Sequence, residues 1–196
     1  PNFSPVFEKV VDLPVQYEHR ENVFDDFKRE LLLPNKMSQL GPFISKGDVN
    51  GDQLDDIYIS GSAGTSGGLF LQQRDQSFVE VSGPWKKESA REELGSLFFD
   101  ADSDDDLDLY VVSGGNEYAF NAPEMQDQLY INDGTGNFLN ETAARLPRME
   151  SSGQRVAAAD YDHDGDQDLF VGGRQVPGAY PFAPRSFLLQ NNAGVF

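Results

Sequence analysis

The chain has 196 residues, long enough for a sizeable core in one or two domains. Its formal net charge of −18 excludes nucleic acid and anionic membrane surfaces as partners, because both demand basic patches. With no cysteine there is neither a disulfide framework nor a thiolate zinc site, and no apolar run reaches the roughly eighteen residues a membrane span needs.

Fifteen Phe, seven Tyr and nineteen Gly argue for many short strands and turns. The chain opens on Pro1 with no Met and no leader-like apolar stretch, so it reads as a cut or processed piece from which a targeting segment could have been lost. Residues 1–40 read as the end strand of a preceding unit, "PVFEKV", followed by a polar linker that contains His19 in "QYEHREN". A structural hydrogen bond is the reading adopted for His19, in preference to a role as ligand contact or general base.

From residue 41 onward three copies of one pattern follow, and their acidic clusters begin at Asp48, Asp100 and Asp160, 52 and 60 residues apart. In each copy an apolar segment ("GPFIS", "GSLFF", "RVAAA") precedes the acids and another ("DIYIS", "LDLYVV", "DLFVGG") follows them. A third segment ("GLFLQQ", "QLYIND", "SFLLQN") then runs through a turn to Phe78, Phe138 or Phe196. Phe78 and Phe138 open a fourth segment, "FVEVS" and "FLNET", and Phe7 sits in the matching place of "PVFEKV". Four short segments bounded by Gly, Asp and Asn predict four strands per unit. Such units in series predict an all-β fold, a β-propeller, since one four-stranded sheet cannot bury its faces alone. The expected blades are 41–82, 95–142 and 153–196, the last without its fourth strand. Together they form part of a larger ring, completed by remaining blades or by other copies of the chain. The first and second segments, nearly all apolar, are expected to be covered on both faces.

Counting Asp160 as position 1, the third loop has aspartates at 3, 5, 7 and 9: Asp162, Asp164, Asp166 and Asp168. The second loop has Asp100, Asp102, Asp104, Asp106 and Asp108 at the same positions, and the first has Asp48, Asn50, Asp52, Leu54 and Asp56. Carboxylates this close repel unless a cation joins them, so the choice is between a solvated acidic turn and a metal cage. The recurrence favours the cage. Side-chain oxygens at 1, 3, 5 and 9 with a backbone carbonyl at 7 suit calcium, with magnesium second and zinc and copper excluded. These are not EF-hands, since position 12 is Ile59, Val111 or Val171 where a bidentate Glu belongs. Up to three structural Ca²⁺ ions are expected, bringing the charge from −18 to −12. The affinity order expected is loop 3, loop 2, loop 1, from the acid count and from Gly165, Asp105 and Gln53 at position 6.

This D-x-[DN]-x-D-x-x-x-D-[LI] loop between apolar strands resembles the FG-GAP or VCBS repeat of integrin α-subunit propellers and bacterial surface proteins. More narrowly, "YEHRENVFDDFKRELLLPNKMSQLGP", "LYVVSGGNEY" and "VAAADYDHDGDQDLFVGGRQVPGAYP" resemble bacterial ASPIC/UnbV-type repeat proteins. The resemblance implies a loop joining the first two strands of each blade and binding Ca²⁺, and an exported protein whose expected location is extracellular, at the cell surface or periplasmic. It implies no single activity.

No G-x-S-x-G, H-E-x-x-H or P-loop pattern occurs, and no catalytic residue is assigned. His163, at position 4 of its loop, reads as a surface residue. The loops "SGGNEYAFNAPEMQDQ" and "GGRQVPGAYPFAPRS" carry Asn116, Glu117, Tyr118, Arg174 and Tyr180, candidates for contacting a glycan or protein ligand. A glycosidase pair of Glu117 with Glu18 is the enzymatic alternative. Three functions stand open: a binding or adhesion scaffold, a polysaccharide-active lyase or hydrolase, and a purely structural module of a larger surface protein.

Overall fold

The computed structural model describes residues 13–196, and the expected strand on "PVFEKV" lies outside the described residues. Three antiparallel sheets follow one another along the chain. The first joins β1 (Ile44–Gly47), β2 (Asp56–Ile59), β3 (Gly68–Gln72) and β4 (Phe78–Val81) in sequence order. The second joins β5 (Glu93–Phe99), β6 (Asp108–Ser113), β7 (Gln128–Asn132) and β8 (Phe138–Asn140) in the same way. The third has three strands, β9 (Ser152–Ala159), β10 (Asp168–Gln175) and β11 (Phe187–Leu189). The architecture is all-β, an arc of propeller-type blades rather than a closed barrel.

The second sheet is the middle of the arc, and its period-two alternation serves two cores at once. Leu109 and Val111 face the first sheet, where they join Val49, Tyr58, Leu69, Phe98 and Tyr130. Tyr110 and Val112 face the third, against Leu169, Val171 and Leu189. All six residues of β6 are therefore buried, as a continuous apolar run predicts. Trp85, fully buried, fills the space between the first two sheets and meets Tyr58, Tyr130 and Phe138 edge-on at 5.7, 5.9 and 5.6 Å. Gly83 makes room for it, because a Cβ there would collide with the indole.

The first strands lie side by side along one edge of the arc. Ser45 and Ser96 share a 2.6 Å hydroxyl contact, and a Cβ on Gly95 would lie 2.6 Å from the Gln154 carbonyl. Burial departs from the sequence expectation at both ends of the arc. Strand β9 alternates between half-buried and exposed residues along "QRVAAA", and β1 alternates too. The reason is positional: these sheets have a neighbouring sheet on one face only.

The equivalences make this concrete. Tyr58 and Tyr110 are 0% exposed whereas Phe170, in the same register, is 53% exposed. Leu69 and Leu129 are likewise 0% exposed, and their equivalent Leu188 is 52%.

The linker forms a strap across the end of the sheets opposite the acidic loops. Tyr17 sets its ring edge against Phe70 and donates its hydroxyl to the Ser60 carbonyl at 3.2 Å. A single helical turn, α1 (Asp26–Arg29), is capped by the Asp25 side chain. From it Arg29 donates to the Asn116 and Tyr118 carbonyls at 2.7 and 2.8 Å, and Glu30 accepts the Tyr180 N–H at 2.8 Å. The strap thus ties all three sheets together.

Candidate metal centre

Each acidic loop connects the first and second strands of its sheet and carries two left-handed residues. At position 4 these are Gly51, Ser103 and His163; at position 6, Gln53, Asp105 and Gly165. Two left-handed turns in three residues wrap the chain around the position 1 aspartate. Asp48 accepts the N–H groups of Gly51, Asp52 and Gln53 at 2.8, 3.1 and 2.7 Å. Asp100 accepts those of Ser103, Asp104 and Asp105 at 2.7, 3.2 and 3.1 Å. Only position 6 drew notice from the sequence, because a glycine stands there in the third loop.

Position 9 is buried in all three loops: Asp56 and Asp108 are 0% exposed and Asp168 is 2%. Each uses both oxygens on backbone N–H groups. Asp108 takes Ala101 and Asn132 at 2.8 Å each, Asp56 takes Val49 and Gln72, and Asp168 takes Tyr161 and Asn191. This residue bolts the loop to the third strand, and its second lone pairs stay available to an ion. Burial, opposed by those N–H bonds, pushes the Asp108 carboxyl up to about 7. At position 7, burial and then Asp104, Asp102 and Asp100 push Asp106 up to about 6.

Two of the loops bring three carboxylates within reach of one ion. Asp100, Asp102 and Asp108 have oxygens within 4.8 Å of one another, and so do Asp160, Asp162 and Asp168. That span fits a cation with oxygen ligands at 2.3–2.6 Å, the range for calcium. Buried oxygens of Asp102, Asp106 and Asp160 have no hydrogen-bond partner, as acceptors awaiting a cation would. In the first loop Asn50 instead donates to Asp52 at 3.3 Å, and Asp52 also accepts the Leu54 N–H. Asp104 and Asp164 spend one oxygen each on the N–H of Asp106 and Asp166, and His163 is exposed.

Three further residues at these loops escaped the sequence reading. Asn132, 4% exposed, donates to the Val49 carbonyl of the first loop at 2.7 Å and the Leu107 carbonyl of its own at 3.1 Å. Asn191 repeats this one blade on, to Ala101 at 2.8 Å and Gln167 at 3.1 Å. Arg145 pairs with Asp102 at 3.0 Å, part of the counter-charge in the second loop. The only sequence signal was an Asn closing "LYIN" and "LLQN", a position that looks like an ordinary strand end.

The candidate ligand residues lie at the other end, under or beside the strap. Asn116 is fully buried and donates to Asp26 at 2.9 Å. Glu117 accepts the Asn116 N–H at 2.7 Å, Tyr118 donates to the Ala90 carbonyl, and Arg174 donates to Gln154 at 2.9 Å. Tyr180 keeps 44% of its surface exposed. Glu18 is an exposed partner of Arg20 at 2.6 Å, whereas burial, and after it the charges of Asp26 and Glu21, push Glu117 up to about 7. His19 bonds Glu21 at 2.8 Å. Beyond the strap a cleft of about 490 Å³ opens among Phe120, Arg148, Glu150, Arg185 and Phe187.

A family model described as FG-GAP-like repeat matches residues 100–171, from the first aspartate of the second loop into β10. The match supports an FG-GAP/VCBS-type repeat over that stretch. No curated protein matches the chain.

Proposed function

We propose that this chain is a calcium-binding β-propeller segment that serves outside the cytoplasm as a scaffold for recognising glycan or protein ligands. The observation that carries the reading is the carboxylate triad recurring at the same place in two successive blades, with oxygen-only donors. Blades at 41–82, 95–142 and 153–196 belong to this reading, as do the affinity order loop 3, loop 2, loop 1 and the narrower ASPIC/UnbV-type kinship. The first loop ranks last because Asn50 replaces an acid and no three-carboxylate cluster forms there among the described residues. The calcium role is structural, since an ion that joins repelling carboxylates stabilises only the folded loop. Recognition falls to the cleft lined by Phe120, Phe187, Arg148 and Arg185, where ring faces and guanidiniums suit sugar rings and polar or acidic groups. The remaining partners are further blades or other copies of the chain. Among the described residues no helix is long and apolar enough to cross a membrane.

Thermal melts with calcium, with magnesium and with excess chelator, alongside calorimetric titration, test the metal half. A calcium-selective rise in melting temperature with saturable heat is the expected result. Neither shift nor heat would make the loops solvated turns and end the reading. A glycan array, with a reducing-sugar assay beside it, separates a binding scaffold from an enzyme.

A further inference from the structure

A second group of acids is held away from water at the strap end of the sheets. Glu92, at the foot of β5, is 0% exposed; one oxygen accepts the Ala63 N–H at 2.8 Å and Oε1 has no partner. Glu117 Oε1 is likewise unpartnered, and so is Oε2 of Glu21, whose other oxygen meets His19 Nε2 at 2.8 Å. The fully buried Asn116 gives its amide N–H to Asp26 and leaves Oδ1 without a donor.

These groups converge. Gly115, left-handed at φ 83°, separates two of them so narrowly that a Cβ there would strike Glu117 Oε2 and lie 2.9 Å from Glu92 Cγ. Burial, then the charges of Glu117 and Glu21, push Glu92 up to about 9. Two guanidiniums at this end are committed elsewhere, Arg29 to the carbonyls of Asn116 and Tyr118 and Arg91 to Glu88 and the carbonyls of Pro123 and Gln126, while Arg174 reaches Gln154 and the Met37 sulfur with its Nε unpartnered. Four buried acceptor atoms without a donor are rare, because buried polar atoms almost always find a partner. Acids this close ionise together only around a positive charge.

We propose that Glu92, Glu117 and the Asn116 amide oxygen, with Glu21 from the strap, hold a divalent cation of the calcium class at a site separate from the acidic loops. All donors are oxygen, which removes soft metals. Among the described residues no three carboxylates here approach within 4.8 Å, unlike those of the loops. The ion therefore takes two carboxylates, the amide and retained water, a coordination open to calcium and, because it leaves several waters in place, to magnesium as well. Bound there, it pins the strap to the second blade.

Calorimetric titration of calcium into the full chain and into Glu92→Gln/Glu117→Gln tests this. The variant should bind one fewer ion and, in chelator, melt no lower than the wild type, since burial already holds Glu92 neutral there and the change removes only the charge that Glu117 carries. Glu21→Gln, changed only in the strap, should keep the fold and weaken one site by at least the roughly tenfold that loss of an outer partner costs. Asp104→Asn/Asp164→Asn should weaken the loop sites and spare this one, so failure of the loops and failure of this site read differently. An unchanged number and affinity of sites in Glu21→Gln, or a loop variant that binds no calcium at all, overturns the proposal.

Discussion

Truncating Asn132 to alanine tests whether neighbouring blades are joined by more than apolar packing. The side chain is buried and makes four hydrogen bonds: it donates to the Val49 and Leu107 carbonyls at 2.7 and 3.1 Å and accepts from Asp133 and Gly136 at 3.0 and 3.1 Å. Of these, the bond to Val49 crosses from the second sheet to the first loop. Each net hydrogen bond contributes roughly 1 kcal/mol, and a buried partner left without one costs about 1–3 kcal/mol. The two donated bonds and the one from the buried Gly136 N–H dominate, because only the N–H of the exposed Asp133 can turn to water. The expected loss is therefore about 2–4 kcal/mol. At about 2–4 °C per kcal/mol for a chain of this size, the melting temperature should fall by roughly 4–16 °C.

The single tryptophan, Trp85, lies between the same two sheets and reports their separation by fluorescence during urea or thermal unfolding. Asn137→Ala is the control: that residue is exposed on the same turn, bonded to Asp133 and Thr135, and should cost under about 1 kcal/mol. Asn191→Ala should match Asn132→Ala in total stability while disturbing Trp85 emission less, since it latches the second and third sheets. Equal and small losses at Asn132 and Asn137 would refute the latch and leave the sheets held by packing alone.

Stability should also fall as pH rises through neutrality in calcium-free buffer. Burial pushes Glu93 and Asp127 up to about 7, above their unfolded values near 4, so the folded chain binds more protons over that window. Their contribution is complete below about pH 4 and is lost through about pH 7; urea midpoints that climb between about pH 5 and pH 8 would contradict it, and Glu93→Gln should flatten the slope. On the uncovered face of the third sheet, Phe170→Ser/Leu188→Ser should lower stability by no more than roughly 1.5–3 kcal/mol, because each side chain is about half buried and gives up about half of its transfer free energy. The same pair should abolish concentration-dependent association in sedimentation velocity; a wild type that is monomeric throughout, or an association that survives the change, would show that this face does not recruit another sheet.

The strands were legible because their segments are short, apolar and repeated. Asp56, Asp108 and Asp168 each mark the first residue of a second strand, and Phe78 and Phe138 mark the fourth. Which faces would be covered was not legible, because "RVAAA" and "GSLFF" differ in neighbours rather than in kind. Local pattern says that a strand can be buried, and only the order of blades says whether it is. The strap's contacts were not legible in its polar linker sequence for a related reason. Its contacts, Arg29 to Asn116 and Glu30 to Tyr180, join residues far apart in sequence through backbone groups that carry no residue signal. The acids at positions 1, 3 and 9 were visible by type and spacing, yet nothing in the spacing distinguishes a ligand from the position 9 bolt.

That bolt links the ion to the packing between blades. Val49 stands between Asp48 and Asn50 of its loop, gives its N–H to Asp56, and receives Asn132 of the next blade on its carbonyl. Its side chain, 1% exposed, lies in the core between the first two sheets. Ala101 repeats all three connections with Asp108, Asn191 and the second core. A cation that fixes positions 1, 3 and 9 thereby fixes the residue at position 2, and with it a hydrogen bond and an apolar contact to the neighbouring sheet. Metal binding and blade docking are then one equilibrium rather than two. In the third loop Tyr161 gives its N–H to Asp168 in the same manner, but its ring is 67% exposed and no asparagine meets its carbonyl among the described residues. Calcium at that loop should therefore stabilise the third sheet alone, whereas at the second loop it also stabilises the junction between blades; the size of each effect at a given calcium concentration follows the affinity of the site.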